Sequence, residues 1–389
     1  MLTRKHRTQE YKLEIKKKWF DYFWDSIINY FKLDSISFSN LSRNPNITLD
    51  RIIQHPHFFW SNDEISSNPN ITFEMVKNTP YLKWNYHFLS LNPGISWNDI
   101  LSEPNLPWDW RNLAEKPGIE IETIRKHFNE LNPKLLIHNP SVTLEMIESN
   151  LDLNWDWKEI PMRDNLTFPK LLEIVDKFQI ELMEKHWIVI SSQIYICWDI
   201  VLENNHLPWK FESLSYNPNI TYDIICDNPE YPWSWKHFSY NPNFRNQYLL
   251  EKPTVLWDWE YISENHLTPV FLIQNPNLPY CWNSIQMNPL FSFQDITQKF
   301  CLKPEMNYLT LNPKISLQDI RDNRDYNWDW FWLSSCDFEI DKKNFYLFHF
   351  RRWIAAYRIQ QWYQKIKHSP LYVFGRKHIN SMYDNNFTI

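Results

Sequence analysis

The segment Leu214-Ser-Tyr-Asn-Pro-Asn-Ile-Thr-Tyr-Asp-Ile-Ile-Cys-Asp-Asn-Pro-Glu-Tyr-Pro-Trp-Ser-Trp-Lys-His237 is followed at once by a near copy that begins Phe238-Ser-Tyr-Asn-Pro-Asn. Aligned on the first residue of that unit, the chain shows anchors at Leu41, Ile65, Leu89, Leu113, Leu136, Ile160, Ile190, Leu214, Phe238, Ile262, Ile285, Leu309 and Leu333. The steps between anchors are 23 or 24 residues, except for one of 30 after Ile160. A fixed period of this size marks a solenoid and takes precedence over local readings. Length therefore loses its usual meaning as a domain count, because stacked copies need no single large core.

Each unit holds two helix-sized stretches. The first opens on a hydroxyl residue, as at Thr48, Thr72, Ser96, Thr143, Thr167, Thr221, Thr268, Ser292 and Ser316, which can accept a hydrogen bond from a first-turn amide. An acid follows two or three residues on, at the positive end of the helix dipole. Apolar residues then recur with helical spacing, as in Trp97, Ile100 and Leu101. A proline such as Pro56, Pro80 or Pro229 ends the stretch. The second opens with Pro-Trp-Asp-Trp or a relative, as at Pro107–Trp110 and Pro232–Trp235. Proline suits the first helical position, so this helix is expected to start there. The second Trp shares a face with the anchor three residues later, and Asn-Pro ends the helix. Such helices are too short to stand alone and must be held by neighbouring copies. Near absence of glycine and two proline stops per unit disfavour a β-solenoid. The reading is an all-α solenoid of about thirteen 24-residue repeats, each a pair of short helices, with N- and C-terminal capping helices. Layers about 8–10 Å apart predict a curved rod of about 100–130 Å along its contour. The long step, near Leu171–His186, is expected to lengthen a helix.

Charge divides the chain into three. Residues 1–40 form a basic amphipathic segment around Leu13, Trp19, Phe20, Phe23, Trp24, Ile27, Ile28 and Phe31. Residues 41–340 carry the repeats, and 341–389 form a basic aromatic tail. Over 21–340 there are 24 basic against 42 acidic residues, a net of −18, which disfavours DNA binding by the repeat body. The five cysteines (Cys197, Cys226, Cys281, Cys301 and Cys336) have no metal-ligand spacing and read as reduced. No apolar run follows the first residues and none is long enough to span a bilayer, so neither a secretory leader nor a transmembrane segment is expected.

Chemistry is hard to place. Three glycines cannot build a phosphate loop, and no Cys-x-x-Cys or nucleophile elbow occurs. His55 and His57 flank a proline without evident further ligands. No catalytic, cofactor-binding or metal-ligating residue is expected, no cofactor, and no enzymatic activity; the expected partner is an unidentified protein.

The tail runs Arg351-Arg-Trp-Ile-Ala-Ala-Tyr-Arg-Ile-Gln-Gln-Trp-Tyr-Gln-Lys-Ile-Lys-His368 and makes a basic amphipathic helix expected to stop before Pro370. Trp353, Ile359, Gln360, Trp362, Lys365 and Lys367 are its candidate partner-binding residues. Ile359-Gln360 between bases resembles the IQ motif, which binds calmodulin-like proteins as a helix in a groove. It departs from that motif at Gln364, Lys365 and Ser369. The alternative is a cap docked on the last repeat, burying Trp353, Tyr357 and Trp362.

The repeat unit Leu-Ser-x-Asn-Pro-Asn-Ile-Thr…Pro-Trp-Asp-Trp, with this tail, resembles the tandem-repeat proteins of giant, mimivirus-like DNA viruses that infect amoebae, over about residues 40–380. The resemblance implies a viral origin, an expanded family of paralogues and a place in host cytoplasm or virion. It carries no catalytic residues over. The expected role is a non-enzymatic scaffold for protein–protein interaction during infection. Its alternatives are a structural component of the virion or assembly matrix, and a binder of calmodulin-like proteins through the C-terminal helix.

Overall fold

A computed structural model describes residues 4–164, 166–300, 303–367 and Leu371. Cys301, His368, Ser369 and Pro370 fall outside them. All 27 regular elements among the described residues are helices, and none is a strand. The chain forms two compact units. One comprises Lys32–Ile315 and Asn323–Cys336; the other comprises Met1–Phe31, Ser316–Asp322 and Asp337–Ile389.

In the larger unit the paired short helices follow the sequence period. All the anchors it contains, from Leu41 to Leu333, are at most 2% exposed; each such burial contributes about 1.5–3 kcal/mol. The first helices begin after their hydroxyl residues. Thr72, Thr143, Thr167, Thr221 and Thr268 accept from the amide three residues on, and Ser96 forms a reciprocal capping box with Asp99. Thr48 holds the cap position but makes no such bond. After the long step, helix Phe168–Lys177 has ten residues where Leu49–Gln54 has six.

The second helix starts later than proline alone suggests. Trp110 is its first residue, and Asp109 is the cap, accepting from the Asn112 amide at 3.2 Å. Ser234 and Asp258 do the same in their copies. An acid at the cap bonds an open amide directly, a stronger role than sitting near the dipole one turn in. The proline and the first Trp thus precede the helix.

That first Trp closes the preceding helix. Its indole N–H donates to the carbonyl five residues back: Trp84 to Thr79 at 3.0 Å, Trp108 to Glu103 at 2.9 Å, Trp233 to Asn228 at 2.8 Å. The recipient is the residue that caps the first helix's C-terminus, where carbonyls otherwise lack partners. Tyr280 substitutes with its hydroxyl, donating to Asn275 O at 2.7 Å.

The Leu-Ser-x-Asn-Pro part of the unit joins one repeat to the next. The serine after the anchor accepts the cap amide of the following second helix, as Ser42 does from Ser61 at 3.0 Å and Ser90 from Asp109 at 2.9 Å. The asparagine before proline lies buried and points backward. Asn68 donates its amide nitrogen to Ser42 O, Asn44 O and Ile47 O at 2.9–3.1 Å. Its oxygen accepts the Asn70 amide at 2.9 Å, fixing the turn that proline begins. Asn92, Asn139, Asn217, Asn241, Asn288 and Asn312 repeat this rung. Lys116 and Arg163 replace the amide with a cation that reaches backbone carbonyls of the preceding repeat.

The rungs also join the last repeat to the first. Asn44 donates to Ser334 O at 3.0 Å and to Cys336 O at 2.8 Å, and Ser37 N–H donates to Ser334 Oγ at 3.0 Å. These are the bonds that Asn68 and Ser61 make to their own neighbour. The array is therefore a closed cycle, not the open curved rod expected from layer spacing. A small rotation per repeat, summed over the array, brings the copies back to the start, and such small rotations set the curvature of any solenoid.

In the smaller unit two long helices, Arg4–Tyr30 and Glu339–Lys367, run antiparallel. Tyr11 stacks on Trp353 with ring centroids 5.3 Å apart and donates its hydroxyl to His349 O at 3.0 Å. Trp19 meets Phe345 edge-on at 5.5 Å, and Phe23 meets Phe338 at 6.0 Å. Ile15, Trp19, Phe23 and Ile27 are fully buried, which accounts for the apolar stripe of the N-terminal segment. The short helix Leu317–Asp322 completes the unit, its Leu317 amide donating to Asp341 Oδ2 at 3.1 Å.

Candidate binding surfaces

The antiparallel register decides the fate of the tail residues. Tyr11 lies opposite His349–Trp353 and Phe23 opposite Phe338, so the C-terminal helix beyond about residue 358 overhangs the helix that begins at Arg4. Trp353 and Tyr357 are half-buried and stack on one another at 5.9 Å. Ile359 is 63% exposed and Trp362 58%, with Gln360 and Lys365 exposed and Lys367 half-buried. The six candidates thus share a helix without sharing an environment. The expected burial of Trp362 fails, because the helix outreaches its partner.

In the larger unit the second helices pack directly on one another, Asn62–Ser67 lying between Phe38–Arg43 and Tyr86–Leu91. The residue two before each anchor is exposed in most copies and changes chemistry from one to the next: His87, Arg111, Lys158, Ile188, Glu212 and Phe331. Some of these side chains have a carboxylate beside them. His87 Nδ1 sits 2.7 Å from Asp109, and Lys134 lies 3.5 Å from Glu159. Across helices Glu184–Ser192, Phe211–Tyr216 and Trp235–Phe238 this face sinks into an open groove of about 550 Å³, walled by Trp209, Phe211 and Tyr216 with Glu184, Lys210 and Glu212 along it.

A second polar group gathers where the repeat pattern is weakest. Glu159 is nearly buried between Lys134 and His138, the latter 3.6 Å away. Fully buried His186 accepts the Met183 amide on Nδ1 at 2.9 Å, so its proton rides on Nε2, which has no acceptor in regular hydrogen-bond geometry among the described residues. Burial holds its pKa below the ordinary histidine value. Burial likewise raises the Tyr195 phenol, whose hydroxyl is also unpartnered. Arg163 beside them is committed to Ile137 O and Val142 O. Arg163 serves as a rung and His186 as a cap substitute, and sequence reasoning missed both. The available signal was departure from asparagine three residues after an anchor, at Lys116, Arg163 and Gln193.

No group of three His, Cys, Asp or Glu side chains comes together in metal-binding fashion among the described residues. His55 and His57 have ring centroids 5.7 Å apart. The described cysteines Cys197, Cys226, Cys281 and Cys336 form no disulfide. No described helix is long and apolar enough to cross a membrane. No known protein-family pattern, curated protein or solved structure matches the chain.

Proposed function

We propose that the chain is a non-enzymatic scaffold that binds a partner protein through its second-helix face. The observation behind this reading is the contrast between buried and exposed positions of the same helices. Anchor, serine and asparagine recur because stacking needs them, whereas the exposed position two before the anchor is basic at Arg111 and Lys158, apolar at Ile188 and acidic at Glu212. A surface that only polymerised with itself would gain nothing from such variety. The giant-virus resemblance sets the proposed context in infected amoebae, in host cytoplasm or virion.

A second reading rests on the overhang: exposed Ile359 and Trp362 beside Lys365 form a basic, apolar helical face of the kind that calmodulin-like proteins enclose. The test is affinity purification of the tagged full-length chain from infected cells beside two variants. One replaces Arg111, Lys158 and Glu212 with serine; the other replaces Ile359 and Trp362 with alanine. Partner loss in the first variant alone is the expected result. Undiminished capture by that variant refutes the scaffold reading, and loss only in the second transfers the function to the tail. Recovery of the chain in purified virions at the abundance of a shell component, without a distinct partner, favours the structural alternative.

A further inference from the structure

We propose that the groove across helices Glu184–Ser192, Phe211–Tyr216 and Trp235–Phe238 holds the cationic side chain of an extended segment of the partner, with Glu212 as its counter-charge. This rests on the second-helix face being the binding face.

Charge selects the occupant. The groove carries two carboxylates and one ammonium group, and the ammonium is taken: Lys210 Nζ lies 2.5 Å from Glu184 Oε1. Glu212 is exposed, and no described Lys, Arg or His lies within ion-pair distance of it. An acidic segment would meet that carboxylate unscreened, while a lysine or arginine would pair with it. The walls suit the rest of such a side chain. Phe211, Tyr216 and Trp209 line it with aromatic rings, to whose faces a guanidinium or ammonium group is attracted and against which its methylene stem buries apolar area. Half-exposed Ile188 extends the apolar floor. His237, at the far side, is held by Ser234 Oγ at 2.7 Å and is fixed in orientation.

Length selects an extended peptide over a compact ligand. Three adjacent helices at about 8–10 Å spacing span about 16–20 Å, which five or six extended residues cover at about 3.3 Å each. The net charge of −18 over residues 21–340 would also draw a basic partner toward the face and speed its association.

The experiment titrates the full-length chain into a fluorescein-labelled Ser/Ala heptapeptide with one central arginine, read by anisotropy, beside the same peptide with neutral citrulline in that place. Arginine should bind at least tenfold more tightly, with the advantage shrinking in high salt. Glu212→Gln should remove that advantage while leaving the melting temperature unchanged, and Asp199→Asn, which deletes an exposed acid on a first helix, should preserve it. Equal binding of the two peptides, or equal losses in the two variants, overturns the proposal. So does absence of binding to the unmodified chain. If that absence accompanies partner loss in the Arg111, Lys158 and Glu212 serine variant, the scaffold reading stands and only the cationic occupant is rejected.

Discussion

Replacing Asn44 with alanine separates a closed cycle from an open one. Its side chain is 1% exposed, donates at 3.0 and 2.8 Å to Ser334 O and Cys336 O, and accepts the Asn46 amide at 2.9 Å. A buried neutral hydrogen bond is worth about 1 kcal/mol net, and unpaired acceptors add to the loss. Three bonds therefore set the cost at about 2–4 kcal/mol, close to that of Asn68→Ala in the body of the array. In an open rod the first repeat would have no neighbour behind it. Asn44 would then contribute only its turn bond, about 1 kcal/mol. Urea unfolding followed by tryptophan emission measures both variants against the parent. Native-state hydrogen exchange supplies an independent reading: the Ser37 amide, bound to Ser334 Oγ, should be protected to the same degree as the Asp109 amide bound to Ser90 Oγ. Free exchange at Ser37, together with a loss of 1 kcal/mol or less in Asn44→Ala, would refute the closure.

Three further outcomes are expected. Burial pushes Asp341 up to about 6, with Asp319 adding to the rise and the Leu317 amide opposing it; the folded chain thus binds more protons than the unfolded one between about pH 4 and 6, and stability falls as pH rises through that window. Asp341→Asn should therefore stabilise the chain at pH 7.5 by about 1 kcal/mol, after allowing for partial solvent screening, and not at pH 3.5; identical gains at both pH values would contradict this. Burial depresses the Lys116 ammonium below its ordinary value, so the folded chain binds fewer protons and stability rises as pH climbs toward 10. Lys116→Asn should restore an amide rung, add about 1 kcal/mol at pH 7 by removing a buried charge, and flatten that alkaline rise in urea titrations. Finally, Trp233→Phe keeps a ring but loses the bond to Asn228 O and should cost about 1 kcal/mol, whereas Trp235→Ala, which empties the contact with Trp257 and Phe238, should cost about 3–5 kcal/mol. Melting curves that reverse this order would remove the division of labour between the two tryptophans.

Local physics made the repeat legible. The anchors, the hydroxyl caps and the lengthened helix after Ile160 follow from periodicity and capping chemistry within a few residues of each position. The functions of Asn68 and Trp108 were harder to see. Proline after Asn68 explains a helix stop by itself, so the backward reach of the amide into the previous repeat leaves no mark on local pattern. Trp108 reads as packing until its N–H is found on Glu103 O. Closure is further still from the sequence, because it depends on a small rotation summed over every copy. Of the tail residues, Trp353 and Trp362 differ in environment through antiparallel register, which neither helix encodes alone. The groove at Glu212 combines residues from three copies, each unremarkable in its own unit.

The second asparagine of the repeat has a biosynthetic consequence. Asn46-Ile-Thr48, Asn70-Ile-Thr72 and Asn219-Ile-Thr221 spell the acceptor pattern for N-linked glycans, with the helix-capping threonine as its third residue. A glycan would attach to the side-chain nitrogen that Asn70 uses to reach Pro45 O at 2.7 Å and Asn219 uses to reach Ile194 O at 2.5 Å; Asn46 is 1% exposed. Sugar added to the nascent chain would occupy the space into which the neighbouring copy must stack. Glycosylation at Asn46 or Asn70 therefore opposes assembly of the array, whereas Asn219 is exposed, and sugar added at the first two sites before stacking would hold neighbouring copies apart.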